Sequence, residues 1–229
     1  MKSSGIVFEV ERSMGAMPDE LHDLSRYGQV CTSKTPGSEP GWVRLPSGLW
    51  VMSFASDYVG LGNPGFAKNQ AGTILMWLYT TTTNEQHYLT FAKYSTGAVD
   101  EFKMELKAGD FRLEVHDNTV NTHKLETTNN SFPINTWHLV GFTSSGSANL
   151  LSKNGMNQPL TASVGANDGV WLGDLTSDAD LVTLGSLPRS SAYLNDFAGR
   201  MAPPLILDYA LSIGQIYNIF QAERGLFGV

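Results

Sequence analysis

Residues 135–160, NTWHLVGFTSSGSANLLSKNGMNQPL, limit the possible folds of this chain more than any other stretch. Large apolar and small polar residues alternate up to Ser-Ser-Gly, alternate again, and break at Asn-Gly. A period of two is typical of a β-strand with one buried face, and Asn-Gly between two such runs favours a tight turn. The stretch therefore predicts an antiparallel β-hairpin.

The same pattern recurs along the chain. EFKMELKAGDFRLEVHD (residues 101–117) alternates on both sides of a turn at Ala108-Gly109-Asp110. GTILMWLYT (72–80) is a nearly continuous apolar run, which suits a strand buried on both faces. Repeated strands and turns with hardly a helical period indicate an all-β, antiparallel sandwich of two sheets.

One segment near the carboxyl end, LSIGQIYNIFQAERG (211–225), has a helical pattern instead. Ser212 followed by Gln215 is a capping box, the apolar residues after it fall on one side of a helix, and Gly225 is a stop signal. We expect a short helix that docks on the sandwich by its apolar face.

Length and charge exclude several classes of protein. A chain of 229 residues without repeat or linker is expected to form a single domain, residues 1–229. The formal charge is −7 with no run of Lys or Arg, so nucleic acid is not an expected partner. No apolar stretch approaches a membrane span, and the N-terminal MKSSGIVFEVERS lacks the apolar core of a signal peptide. Synthesis in a cytoplasm without export is therefore expected.

Common catalytic signatures are missing. Neither G-x-S-x-G nor H-E-x-x-H occurs, and the five histidines lack the spacing of a metal site or of a base with an orienting carboxylate. Glu101 and Glu105 share a strand face but lie roughly 13 Å apart at about 3.3 Å per residue, too far for a retaining glycosidase. We interpret them as a solvated face and expect no enzyme activity.

The loop NDGVWLGDLTSDAD (167–180) carries the best candidates for ligand binding. Carboxylates suit Ca²⁺ and an exposed indole stacks on sugar rings, although an ordinary solvated loop explains the same composition. The candidate Ca²⁺ ligands are Asp168, Asp174, Asp178 and Asp180. The candidate glycan-stacking side chains are Trp171 and, elsewhere in the chain, Trp42 and Tyr193.

The last five residues, GLFGV, offer a candidate assembly surface. Leu226, Phe227 and Val229 are apolar residues at a terminus, where such side chains either pack back on their own domain or anchor to another molecule. Both alternatives stay open, and the second predicts a homo-oligomer or attachment to a protein lattice.

Several segments, taken in order, resemble the laminin-G-like, concanavalin A-like jelly roll. HDLSRYG (22–28) is similar to the Asp-x-Ser loop of that family, SFASDYVGLG (53–62) and GTILMWLYT are similar to two of its strands, and Trp137 to Gly155 is similar to its W-x-H…N-G hairpin. FAGRMAPPLILDYALSIGQI (197–216) is similar to its last strands and helix. The resemblance implies a jelly-roll sandwich with a short C-terminal helix and with Trp137 in the core.

The resemblance also implies a Ca²⁺ ion near one edge and contacts to glycan or protein through loops or the concave face. Met201-Ala202-Pro203-Pro204 occupies positions where many members carry an acidic residue, which argues against calcium at that edge.

Three functions fit these expectations. The first is a bacteriophage virion protein, either a capsid decoration or a tail component, with other virion proteins or further copies of itself as partners and with glycan binding as an added role. The second is a carbohydrate-binding module or lectin of a bacterial surface or secreted protein. The third is a sandwich glycosidase or lyase, which the missing carboxylate pair disfavours. The absent export signal ranks the virion protein first.

Overall fold

The computed structural model describes residues 6–8, 39–61, 69–95, 98–128, 132–175, 181–189 and 192–229. In these ranges the chain forms two large β-sheets, a two-stranded pair and one α-helix. The strands in chain order are β1 (Ile6–Phe8), β2 (Gly41–Arg44), β3 (Trp50–Ala55), β4 (Val59–Gly60), β5 (Gly72–Thr80), β6 (Gln86–Ser95), β7 (Ala98–Lys107), β8 (Asp110–Asp117), β9 (Val120–Glu126), β10 (Trp137–Ser144), β11 (Asn149–Lys153), β12 (Met156–Gln158), β13 (Thr161–Val164), β14 (Leu181–Leu184), β15 (Leu187–Arg189), β16 (Ala192–Leu194), β17 (Ala198–Met201) and β18 (Leu205–Leu207). A 3₁₀ turn spans Leu172–Asp174, and helix α1 spans Ile213–Phe227.

The two large sheets are antiparallel, which confirms the predicted fold class. The nine-stranded sheet has the order β12-β11-β10-β5-β17-β3-β2, with β18 paired to the first half of β5 and β1 paired to β18. The seven-stranded sheet has the order β13-β9-β8-β7-β6-β14-β4, and β15 pairs with β16. The two sheets pack face to face around one apolar core, as in a jelly-roll sandwich.

Strand β5 is the centre of the nine-stranded sheet and is buried on both faces, as its apolar run predicts. Ile74, Met76 and Leu78 join the core between the sheets. Leu75 and Trp77 face the other way, into a second apolar cluster that α1 completes. The strand is apolar throughout because both of its faces are covered.

Aromatic rings fill the space between the sheets. Phe102 on β7, Phe142 on β10 and Trp171 contact one another, with ring centroids 5.6 to 6.0 Å apart. Trp171 lies against the start of β5, where a Cβ in place of Gly72 would collide with the indole. These rings therefore link the two sheets to the loop that follows β13.

The hairpin predicted at residues 135–160 is confirmed as β10, β11 and β12. Asn154 (φ 55) and Gly155 (φ 75) form its tight second turn, and the Asn154 side chain accepts a hydrogen bond from the Leu139 amide. A Cβ at Gly155 would collide with the backbone of Tyr217, so this glycine also lets α1 approach the sheet. Trp137 is buried, as the resemblance implies.

Helix α1 begins as predicted but ends later. Ser212 and Gln215 make both hydrogen bonds of the capping box. The predicted stop at Gly225 is wrong, because the helix continues to Phe227 and ends at Gly228 in a left-handed conformation (φ 73). A Cβ added at Gly225 would meet no atom within 4 Å, so no close contact requires a glycine there. Within the described ranges, no helix combines the length and the apolar character that a bilayer crossing requires.

The extra helical residues decide what the apolar terminus does. Phe227 lies flat on Trp77, with ring centroids 4.1 Å apart and planes at 14°, and it also contacts Trp137. It is 5% exposed, while Leu226 and Val229 are half-buried against the same cluster. Phe227 is therefore not available as the predicted assembly surface because its own domain covers it, and Leu226 and Val229 are exposed only in part.

Removing the Phe227 ring should loosen α1 from the sheet. We expect Phe227→Ala to lower the free energy of unfolding by about 3–5 kcal/mol, measured by urea denaturation, because a buried aromatic side chain leaves a cavity. Gly225→Ala in the same turn is the matched control and should be neutral or stabilising by up to about 1 kcal/mol, since alanine favours helix. Equal destabilisation by both changes would contradict this packing.

Candidate functional site

Charged side chains line the outer face of the seven-stranded sheet. On β7 and β8 every second residue enters the core, so the residues between them point outward. We call the outward set the charged face; it comprises Glu101, Lys103 and Glu105 on β7, Arg112, Glu114 and His116 on β8, and Lys124 and Glu126 on β9.

The antiparallel register places opposite charges directly across from one another on the charged face. Lys103 is the partner of Glu114, with Nζ 3.4 Å from Oε2, and Glu105 is the partner of Arg112, with Oε1 2.8 Å from Nη1. Arg112 also contacts Glu126 on the next strand at 3.0 Å. Cross-strand pairs of opposite charge stabilise a sheet, whereas like charges in these positions would destabilise it.

Burial is deepest on the β7 side of the charged face. Glu101 and Glu105 share a face as predicted, but their interpretation as solvated residues is wrong: they are 0% and 1% exposed, and Lys103 between them is 5% exposed. Buried charges are tolerated where an opposite charge is near, and Lys103 lies 3.4 Å from both Glu101 and Glu114. The side chain of Glu126, on β9, is 25% exposed. The charged face is therefore accessible mainly along β8 and β9.

Two carboxyl groups of the charged face have lowered pKa values. The hydrogen bond from His116 and the charge of Lys103 outweigh burial and lower the pKa of Glu114 from 4.5 to about 2. Burial alone would raise the pKa of Glu105, but contact with His87 outweighs it and lowers the value. Both carboxyl groups are therefore ionised at neutral pH.

Three histidines contact carboxylates, although the sequence predicted no such pairing. The three pairs, with the distance from Nε2 to the nearer carboxylate oxygen, are His87–Glu105 (2.9 Å), His116–Glu114 (3.2 Å) and His123–Asp168 (3.2 Å). Only the second pair had a local signal, because its members are two residues apart on one strand and so share a face. The other two pairs depend on which segments become neighbours in the fold.

A second polar feature lies on the outer face of the nine-stranded sheet. Arg200 on β17 pairs in register with Ser53 on β3 and with Tyr79 on β5. Its guanidinium lies over the Tyr79 ring, 5.4 Å from the centroid, and all three residues are half-buried. In the described structure this guanidinium has neither a hydrogen-bond nor an ion-pair partner. We call Arg200, Tyr79 and Ser53 the arginine ledge.

The structure describes the side chains of two of the three predicted glycan-stacking residues, Trp171 and Trp42. Trp171 is 1% exposed and fills the core beside Gly72, so its assignment as a sugar platform is wrong. Trp42 on the edge strand β2 is half-buried and packs on the core between the sheets. The backbone of Tyr193 lies in β16, and its side chain is outside the described structure.

In the described part of the predicted calcium loop, the two aspartate side chains contact other protein groups. The Asp174 carboxylate accepts a hydrogen bond from the Trp171 amide at 2.7 Å and so caps the 3₁₀ turn. Asp168 contacts a histidine, as given above, and Asp178 and Asp180 lie outside the described residues. Among the described residues, neither Asp168 nor Asp174 belongs to a cluster of three potential metal-ligand side chains.

The resemblance implies a Ca²⁺ site near one edge of the sandwich, but the side chains of Met201–Pro204 do not suit Ca²⁺. All four of these residues are buried, and their side chains are apolar. Ca²⁺ requires oxygen ligands, chiefly carboxylates, carbonyls and water. These side chains are therefore buried apolar residues and not ligands of a cation.

Solved structures with a similar fold include receptor-binding and carbohydrate-binding domains. The receptor binding domain of botulinum neurotoxin C/D mosaic serotype matches with a TM-score of 0.66 and 13% identity, over 96% of this chain and 51% of that one. The ligand binding domain of botulinum neurotoxin serotype D in complex with N-acetylneuraminic acid gives 0.64 and 13%, over 96% and 51%. The Ruminococcus gnavus IT-sialidase CBM40 bound to α2,3 sialyllactose gives 0.58 and 18%, over 70% and 92%.

These likenesses establish a shared fold, and this chain spans about half the length of the toxin domains. Comparison with curated proteins finds no match. A family model described as the Concanavalin A-like lectin/glucanases superfamily matches residues 54–217. That span runs from β3 into α1 and covers most of the chain. The chain therefore belongs to the concanavalin A-like lectin/glucanase superfamily.

Proposed function

We propose that this chain is a non-catalytic carbohydrate-binding module that recognises an acidic sugar at the arginine ledge. One observation carries the proposal: Arg200 presents a half-buried guanidinium that has no ion-pair partner in the described structure and rests on Tyr79. Two similar structures support the ligand class, since one is bound to sialyllactose and the other is in complex with N-acetylneuraminic acid.

The chemistry of the arginine ledge suits a sugar that carries a carboxylate. A guanidinium binds a carboxylate through two parallel N–H···O bonds, and such charge-assisted bonds are stronger than neutral ones. The Tyr79 ring holds the guanidinium in place, and Trp137, 5.6 Å away, packs beside that ring. The Ser53 hydroxyl can donate to or accept from a sugar hydroxyl. A site already ordered in this way loses little freedom on binding.

This proposal adopts the second of the three functions that the sequence leaves open. The similar structures are described as receptor-binding, ligand-binding or carbohydrate-binding domains, which favours glycan recognition over the capsid or tail role that the sequence ranked first. A cell-surface glycan is accordingly the proposed partner.

The charged face supports binding over hydrolysis. A glycosidase needs one carboxyl group with a raised pKa, so that it can protonate the leaving oxygen. The pKa values of Glu105 and Glu114 are lowered instead, and both groups are engaged by cationic or imidazole side chains. We therefore assign these carboxylates a structural role and propose no catalysis.

Loss of the Arg200 guanidinium should weaken binding of an acidic glycan. Calorimetric titration with α2,3 sialyllactose should show Arg200→Ala binding about tenfold or more weakly than wild type, because a hydrogen bond to a charged group contributes about 1.5–3 kcal/mol. Lactose, which lacks the carboxylate, should bind neither protein well.

Arg224→Ala is the matched control for this titration. Arg224 also lies 5.4 Å from an aromatic centroid, that of Phe220, but its Nε donates to the Val229 carbonyl. The variant should keep wild-type affinity for sialyllactose. Equal binding of lactose and sialyllactose, or an unchanged affinity in Arg200→Ala, would contradict the proposal.

The structural role of Glu114 predicts a specific loss of stability in acid. Its pKa is about 2 in the folded chain and near 4.5 when unfolded, so its contribution is complete above pH 4.5 and disappears as the pH falls towards 2. Wild type should exceed Glu114→Gln by up to about 3 kcal/mol in urea denaturation at pH 7, and the two should converge near pH 2. A difference that persists unchanged at low pH would contradict the role.

A further inference from the structure

Glu85, His87 and Glu105 bring three potential metal ligands together beside the charged face. One nitrogen or oxygen atom of each side chain lies within 4.8 Å of the others, and no other group of three meets this criterion among the described residues. Glu85 immediately precedes β6, His87 lies on β6, and Glu105 lies on the neighbouring strand β7. The cluster is distinct from the acidic loop predicted from the sequence.

The local backbone explains why these three side chains meet. Glu85 and His87 are two residues apart, and His87 is the register partner of Glu105. The pairing then shifts between His87 and Leu89, so that Tyr88 and Leu89 both enter the core while His87 stays on the outer face. A β-bulge commonly re-aims a side chain in this way.

His87 is buried although both of its ring nitrogens are polar. The residue is 1% exposed, and neither ring nitrogen has a hydrogen-bond partner. Nε2 lies 2.9 Å from Oε2 of Glu105, but the contact lacks hydrogen-bond geometry, and that oxygen is also without a hydrogen bond. Buried polar atoms without partners are rare because they cost free energy. A cation placed among these side chains would satisfy both atoms.

Neighbouring side chains hold the two carboxylates in position. Arg112 donates to Oε1 of Glu105 at 2.8 Å, and Asn195 donates to Oε1 of Glu85 at 2.9 Å. Such outer contacts orient the groups that bind a metal. Lys107 lies 2.6 Å from the other oxygen of Glu85, but its side chain is half exposed and can turn into solvent when a cation enters.

We propose that Glu85, His87 and Glu105 bind a divalent transition ion of the zinc class. One imidazole nitrogen with two carboxylate oxygens suits Zn²⁺, whereas Ca²⁺ takes oxygen ligands. Tetrahedral Zn²⁺ with bonds of about 2.0–2.2 Å holds its ligands about 3.3–3.6 Å apart, so small side-chain movements close the cluster. The Glu85 side chain is partly exposed and marks the entry path. This site goes beyond glycan recognition and does not depend on it.

Titration of the chelator-treated full chain with zinc chloride tests the proposal. Calorimetry should show one Zn²⁺ per chain, and Glu85→Gln and His87→Gln should each weaken binding about a hundredfold or more. Zinc should also raise the Tm of wild type and have little effect on the Tm of either variant. Because the Glu85 side chain is partly exposed, Glu85→Gln gives a result even if His87→Gln does not fold.

His116→Gln is the matched control for the zinc titration. His116 also contacts a glutamate on the charged face but belongs to no cluster of three ligands among the described residues. This variant should bind zinc as wild type does, and so should Arg200→Ala, which separates the metal site from the proposed glycan site. Failure of wild type to take up one ion, equal loss in His116→Gln, or tighter binding of Ca²⁺ than of Zn²⁺ would overturn the proposal.

Discussion

The structure depends on the two-sided burial of β5. One face of this strand packs in the core between the sheets, and the other carries Trp77 beneath Phe220 and Phe227 of α1. The Trp77 indole donates a hydrogen bond to Glu223 of the same helix at 2.7 Å, so its polar atom is satisfied as well. Helix α1 is therefore part of the core: without it, the nine-stranded sheet would expose an apolar face in the middle of the molecule.

The buried residues of the charged face also need partners, in this case groups of opposite charge. Glu101, Lys103 and Glu105 are buried, and the register with β8 supplies each cross-strand pair with an opposite charge or an imidazole. Contacts with His87 and His116 lower the pKa values of Glu105 and Glu114, which are therefore ionised and cannot act as acids at neutral pH. These contacts support the structural role that we propose for the two carboxylates.

Among the polar groups of the described structure that lack a partner, two belong to the proposed sites. Arg200 has only the Tyr79 ring, and the buried His87 nitrogens have no hydrogen bond. They lie on the outer faces of different sheets, so the acidic sugar and the metal ion that we propose would occupy separate sites. A polar group left incomplete by the fold is where a ligand gains most from binding.

Much of the fold could be predicted from local patterns, since a period of two and a capping box each need only a few neighbouring residues. The hairpins at 101–117 and 135–160 and the start of α1 at Ser212 follow from such patterns. The end of α1 could not be predicted in this way, because the helix continues past Gly225 and packs on a strand that is distant in the sequence.

The sequence by itself determined the class of the fold: an antiparallel sandwich whose strands alternate core and outer residues, with one helix at the end. Only the tertiary structure decided the environment of each site residue. Trp171 is buried because it meets Gly72 across the core, and His87 reaches Glu105 because a bulge at Tyr88 sets the register. The alternation of apolar and polar residues can be seen in neighbouring positions of the sequence. The burial and the pairing of side chains depend on segments that only the folded sheets bring together.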